Sequence, residues 1–175
     1  PSTPAELEKA RYRLKFEELF YIELNLLRFK TNRSLKFRGF VFSTVGKYFN
    51  SFYHNNLPFS LTGAQKKVMK EIRRDLGSGK QMNRLLQGDV GSGKTLVALM
   101  SMLIAVDNGY QACIMAPTEI LASQHYQTIS RLVEGLDIKV SLLTGSSRKS
   151  SRKIIAESLS DESLNILIGT HALIE

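Results

Sequence analysis

The sequence has a single cysteine, Cys113, so no disulfide can form within the chain. Cys113 lies in the apolar run Ala112–Ala116 and is expected in the core. A chain without disulfides fits a cytoplasmic location. No uncharged apolar run is long enough to cross a bilayer, and the N-terminus is charged and lacks a short apolar core with a cleavage site. Neither a membrane span nor a secretory leader is expected. There is no internal repeat and no low-complexity tract. The 175 residues suffice for one ordinary domain plus an appendage, and 43% hydrophobic with 23% charged residues reads as globular. The formal net charge of +8 favours a polyanionic partner.

The most informative stretch is Leu85-Leu86-Gln87-Gly88-Asp89-Val90-Gly91-Ser92-Gly93-Lys94-Thr95. An apolar run, read as a first strand over Leu85–Gln87, stops at Gly88, and strong helix formers follow from Thr95 to Val106. This is the full G-x-x-x-x-G-K-[ST] pattern between a strand and a helix. Glycines let successive N–H groups turn inward as an anion nest, and the positive end of the next helix faces the same point. Lys94 adds a cation for the β and γ phosphates of a nucleotide, and the Thr95 hydroxyl suits Mg²⁺. A second Gly-Ser-Gly-Lys, Gly77 to Lys80, has no apolar strand before it and no hydroxyl residue after the lysine. It reads as the end of a helix, with Gly77 as a left-handed cap.

Upstream, Thr3-Pro4-Ala5-Glu6 opens a helix by capping box, which runs without glycine or proline to about Lys30. Phe16, Phe20, Leu24 and Leu27, beside Leu19, Ile22, Leu26 and Phe29, form a broad apolar face that needs a partner, on this chain or on a domain outside it. From Thr31 to Asn56 basic residues alternate with aromatics. Such a mixture can stack on single strands, but more often its aromatics fill a core. Thr44 to Phe52 reads as helical. Thr62 and Gln65 have capping-box spacing ahead of a helix ending near Leu76.

Beyond the glycine-rich loop, strands at Ala112–Ala116, Ile138–Leu143 and Asn165–Ile168 alternate with helices from Pro117-Thr118-Glu119 to Glu134 and from Arg148 to Leu159, the latter capped by Thr144–Ser147. Gly109 and Gly135 read as helix stops. Alternating β and α with long crossovers implies a parallel sheet covered on both faces. The loops after each strand then converge on its carboxyl edge, where ligands bind in such sheets. The fold class is therefore α/β, a parallel P-loop sheet preceded by a long helix, with residues 1–56 as a helical linker and 57–175 as the nucleotide domain.

Gly88–Thr95, Ala-Pro-Thr-Glu-Ile-Leu-Ala-Ser-Gln-His (Ala116 to His125), Ile-Gly-Thr-His-Ala-Leu-Ile (Ile168 to Ile174) and the upstream Leu-Pro-Phe-Ser-Leu-Thr-Gly-Ala-Gln occur in order. This set resembles the RecG family of bacterial ATP-dependent DNA helicases, within superfamily 2. The family of transcription–repair coupling translocases shares the motor type. The resemblance implies that the sheet is incomplete and belongs to a RecA-like motor fed by ATP and Mg²⁺ and acting on double-stranded and branched DNA in recombination and repair. It implies that Gly88, Asp89, Val90, Gly91, Ser92, Gly93, Lys94 and Thr95 hold the nucleotide, with Lys94 and Thr95 serving catalysis and Thr95 the metal. Phe59 and Gln65 resemble an adenine-recognition motif. Pro117, Thr118, Thr144, Gly145, Gly169, Thr170 and His171 resemble loops that touch the DNA backbone. Glu119 fits that set poorly, because a carboxylate repels phosphate, and first-turn helix stabilisation explains it as well.

The acidic Walker B strand, the second motor domain with its arginine fingers and the wedge domain are expected outside residues 1–175. These residues alone are expected to bind nucleotide weakly and to lack DNA-linked hydrolysis. Two other readings remain open at this point. A small-molecule P-loop kinase would need a lid with arginines and an acceptor pocket. A non-enzymatic DNA-binding module would rest on the basic aromatic stretch 31–56.

Overall fold

The computed structural model describes residues 3–174. Helix α1 (Pro4–Lys36) begins with the expected capping box, Thr3 and Glu6 exchanging hydrogen bonds, and runs past Lys30 to its basic last turn, Arg33 and Lys36. Nothing in Thr31–Lys36 is a helix breaker, so the helix continues until extended backbone at Phe37. Its apolar face, including Phe16, Leu19, Phe20, Leu24 and Leu27, is solvent-exposed.

Helix α2 (Lys47–Ser51) and a π turn (Phe52–Asn56) follow, in place of the expected helix from Thr44. The reason for the later start lies on α4 (Lys94–Asp107). Asp107 at its last turn accepts hydrogen bonds from the backbone N–H groups of Gly46, Tyr48 and Phe49 at 2.8–3.0 Å. Asn108 beside it exchanges two bonds with the backbone of Thr44, holding that residue out of the helix. A carboxylate from another helix thus caps α2. Most of the aromatics here fill a core. Phe52 is fully buried, with Phe42, Tyr48, Phe49 and Tyr53 packed around it, whereas Phe37 and Phe40 are exposed.

Helix α3 (Gly63–Leu76) starts with a capping box between Thr62 and Gln65 and buries Met69 and Ile72. Gly77 after it has φ of −82°, an ordinary right-handed value; the left-handed residue is Gly79, at +70°. The helix closes through Gly77 N–H to the Arg73 carbonyl. The reversal of the chain falls two residues later, where the Gly79 carbonyl accepts from the Gly39 N–H.

Three strands, β1 (Ala112–Met115), β2 (Val140–Leu143) and β3 (Ile166–Gly169), form a parallel sheet in the order β1-β3-β2. Helices α5 (Glu119–Leu132) and α6 (Lys149–Ser160) make the crossovers. Gly109 and Gly135 lie just past α4 and α5 in the left-handed region, as their positions suggested. All four residues of β3 are buried, as expected of a central strand covered on both faces. On one side Ile166 and Ile168 join α4 and α5, through Leu99, Leu103, Ala122 and Ile129. On the other Leu167 meets Ile155 of α6 and Leu164. Helix α4 buries eight side chains and is apolar nearly all round, the pattern of a helix at the centre of a core.

Two expectations fail here. Leu85–Gln87 forms no strand: neither sheet edge pairs with it, and an extended segment without a ladder is not sheet. Leu86 leans on the core while Leu85 is exposed. Cys113 is also exposed, because alternate residues of a strand face opposite ways. Ala112 and Ile114 of edge strand β1 pack inward; Cys113 and Met115 point to the uncovered face. Partial burial still pushes the thiol above its ordinary value. Among the described residues no helix is long and apolar enough to cross a membrane.

Candidate nucleotide and nucleic-acid site

The glycine-rich loop enters α4 at Gly93, whose φ of +82° strains any residue with a side chain; a Cβ there would also displace the Gln65 amide. Ser92 N–H bonds the Asp89 carbonyl, and Leu96 and Val97 bond back to Gly93. No side chain caps α4, so its first N–H groups remain for an incoming acceptor. The Lys94 ammonium folds over the loop and donates to the Gly88 and Asp89 carbonyls at 2.8 and 2.7 Å. Thr95 is half-buried in the first turn, and Val90 stands fully in solvent at the loop tip.

Gln65 does two things at once. Its Oε1 accepts from Thr62 N–H, completing the capping box, and its Nε2 donates to the Ser92 carbonyl of the loop at 3.0 Å. The cap is legible from the spacing of Thr62 and Gln65; the reach across to Ser92, 27 positions away, is not. Phe59 is exposed.

At the carboxyl edge of the sheet, the three strand-end loops are tied together. Ala116 N–H bonds the Gly169 carbonyl, and Thr170 N–H bonds that of Leu143. Glu119 reaches from the start of α5 to the turn after β2 and accepts from both the N–H and the hydroxyl of Ser146, at 2.9 and 2.8 Å. Those two bonds hold its carboxyl below its ordinary value of 4.5. The residue that fits phosphate contact least is thus a latch between loops. Arg152 supports the same turn from α6, donating to the carbonyls of Thr144, Gly145 and Ser147. Neither Ser146 nor Arg152 carries a signal in the sequence, since both act across loops.

Pro117 and Thr118 are exposed, and the Thr118 hydroxyl caps α5 through Leu121 N–H. Thr144 is buried, its hydroxyl bonded to Ser146, while Gly145 is exposed. Thr144–Ser147 does not cap α6 by side chain. That cap is Arg148, and the serines are spent on the turn itself, Ser147 Oγ accepting from Thr144 N–H. Gly169 is buried, Thr170 half-buried and His171 exposed at the start of a 3₁₀ turn. The glycine-rich loop is not bonded to these three loops; α4, packed on β1 and followed by it after a short turn, places the loop at the same end of the sheet.

A family model for DEAD/DEAH box helicases matches residues 62–175. The chain belongs to the DEAD/DEAH box helicase family. Along its whole length it is 44% identical to the ATP-dependent DNA helicase RecG of Synechocystis and of Thermotoga maritima, covering 21% and 22% of those proteins. The chain thus spans little more than a fifth of these relatives. A solved structure of RecG bound to a three-way DNA junction superposes with a TM-score of 0.88 at 42% identity, over 99% of this chain and 24% of that one. The RecA-like reading of the incomplete sheet rests on these matches.

The Glu119 latch has a pH signature. Its carboxyl lies below its ordinary value in the fold, so its contribution is present at neutral pH and lost as pH falls through the folded value. Glu119→Gln should lower the melting temperature slightly at pH 7, and the gap to the parent should close as pH falls through the carboxyl's lowered folded value. A gap that is constant with pH would show that the latch does not depend on the charge.

Proposed function

We propose that this chain is the ATP-binding part of a helicase motor that works on branched DNA, such as forks and recombination intermediates, in the cytoplasm. The observation that carries the reading is the pairing of two devices. One is a phosphate-type loop opening an uncapped central helix. The other is a set of strand-end loops braced by Glu119 and Arg152. We read residues 57–175 as the first part of a motor domain and 1–56 as the linker leading into it.

The donors of the loop fit a nucleoside triphosphate with Mg²⁺. Gly91 and Gly93 are left-handed, α4 presents free N–H groups, and Lys94 lies across the loop. Lys94 would hold the β and γ oxygens and Thr95 one position on the metal, whose role is to neutralise charge developing on the phosphates. Gln65 would set the loop's position from α3 and, with Phe59, face the base. Pro117, Thr118, Gly145, Thr170 and His171 offer hydroxyl, ring and backbone groups that suit phosphate contacts without sequence readout. Thr144 would act through its backbone.

The test is phosphate release by the full-length protein with forked, linear and no DNA. Stimulation by forked DNA is expected; turnover indifferent to DNA would overturn the motor reading. Adenine recognition has its own check. Gln65→Ala should weaken ATP more than inorganic triphosphate, and loss of the cap should lower stability by about 0.5–2 kcal/mol. An equal loss for both ligands would leave Gln65 as cap and loop brace only.

A further inference from the structure

Helix α3 carries five basic residues and only two acidic ones, Glu71 and Asp75. Arg84 pairs with both acids, and although Asp75 also feels the charge of Arg74, the helix and its partner keep a marked excess of positive charge. Lys70, Arg73 and Arg74 on the outer face of the helix are exposed and form no ion pair among the described residues. With Phe42, Ser43 and Gly77 they line a concavity of about 570 Å³. The surface continues onto the linker. Residues 38–42 run antiparallel to 76–80, through the Arg38–Lys80 bridge and the bonds Gly39 to Gly79 and Phe42 to Leu76, which holds the linker against the end of α3.

We propose that this groove, where the linker meets α3, is a second seat for the phosphate backbone of duplex DNA, separate from the strand-end loops. It rests on the DNA reading given above. A concave, uncompensated row of Lys and Arg is the electrostatic footprint of a polyanion. Phosphates are favoured over a protein carboxylate partner because Lys70, Arg73 and Arg74 follow one another along one helix face and line the concavity with no acid among them. Arg84 strengthens the site: by pairing with Glu71 and Asp75 it engages the two acids of α3. The seat spans the joint between linker and motor, so DNA held there bridges the two.

The experiment is a salt titration of duplex DNA binding by the full-length protein. The parent is compared with Lys70→Gln/Arg73→Gln/Arg74→Gln and with Lys9→Gln/Arg11→Gln/Lys15→Gln, which removes the same charge from the far half of α1. Each phosphate left without its cation should lower the slope of log K against log salt by about 0.9, so the α3 triple variant should drop roughly 2–3 in slope and about 10²-fold in affinity at 0.1 M salt. The α1 variant should keep the parent's slope, and both should melt as the parent does, since all six positions are exposed. Equal losses in the two variants would reduce the effect to net charge and overturn the seat. An unchanged slope in the α3 variant, with the parent still binding, overturns the seat and spares the DNA reading. A parent that binds no DNA overturns both.

Discussion

Lys94→Ala should lower the affinity for ATP roughly ten- to a hundredfold, the loss of one or two charge-assisted hydrogen bonds to phosphate. In the fold the ammonium is held over the loop by the Gly88 and Asp89 carbonyls, within reach of anything the nest would accept. The substitution leaves the rest of the loop in place. Gly91 and Gly93 keep their left-handed conformations, and Gln65 still bonds Ser92. The folded state should therefore survive, with a melting temperature near that of the parent. Titration of a fluorescent ATP analogue checks the result, and equal binding by parent and variant would mean that the loop is not a phosphate site. Lys94→Arg discriminates further. It keeps the charge but replaces a compact ammonium with a planar fork too large for the two-carbonyl cradle, so binding should stay impaired.

Gly169→Ala should destabilise the chain by about 3 kcal/mol, the upper end of overpacking, which lowers Tm by roughly 6–12 °C for a chain of this size. The cause is a lack of space. A methyl group there would run into the backbone carbonyl of Leu143 on the neighbouring strand and would lie 2.8 Å from a Leu173 methyl. A carbonyl cannot turn aside as a side chain can, and this one also receives the Thr170 N–H. The substitution should loosen the strand-end loops as well as the sheet, so hydrogen exchange at Thr170 and Ala116 should speed up more than at Leu103 in the core. A thermal or urea melt provides the main measurement, and a variant as stable as the parent would mean that β2 and β3 do not approach as closely as the fold requires.

What is readable in the sequence is local or periodic. Thr3 with Glu6 and Thr62 with Gln65 announce helix starts at fixed spacing, and the structure has both capping boxes. The apolar segments that become β1, β2 and β3, with long crossovers between them, specify a parallel sheet. Several of the misses involve a second element. Whether Leu85–Gln87 is a strand depends on a neighbour to pair with, and that is not written in its own residues. Cys113 reads as buried because its neighbours are apolar, but an edge strand covers one side only. Gly77 and Gly79 offer the same licence for a left-handed turn, and the tie from Gly79 to Gly39 decides for the second. Charge logic offers Glu119 only first-turn helix stabilisation; its bonds to Ser146, 27 positions on, are not legible in the sequence. The family resemblance is legible because its motifs are contiguous words; the braces that hold those words together are not.

One consequence of α4 is geometric. Its 14 residues make a rod of about 21 Å, sheathed by core on nearly every side. At one end it grows out of the glycine-rich loop; at the other Asp107 and Asn108 grip the backbone of residues 44–49 with five hydrogen bonds. Residues 44–49 and the glycine-rich loop are therefore joined to opposite ends of one continuous helix, so the position of either is referred to the same straight element.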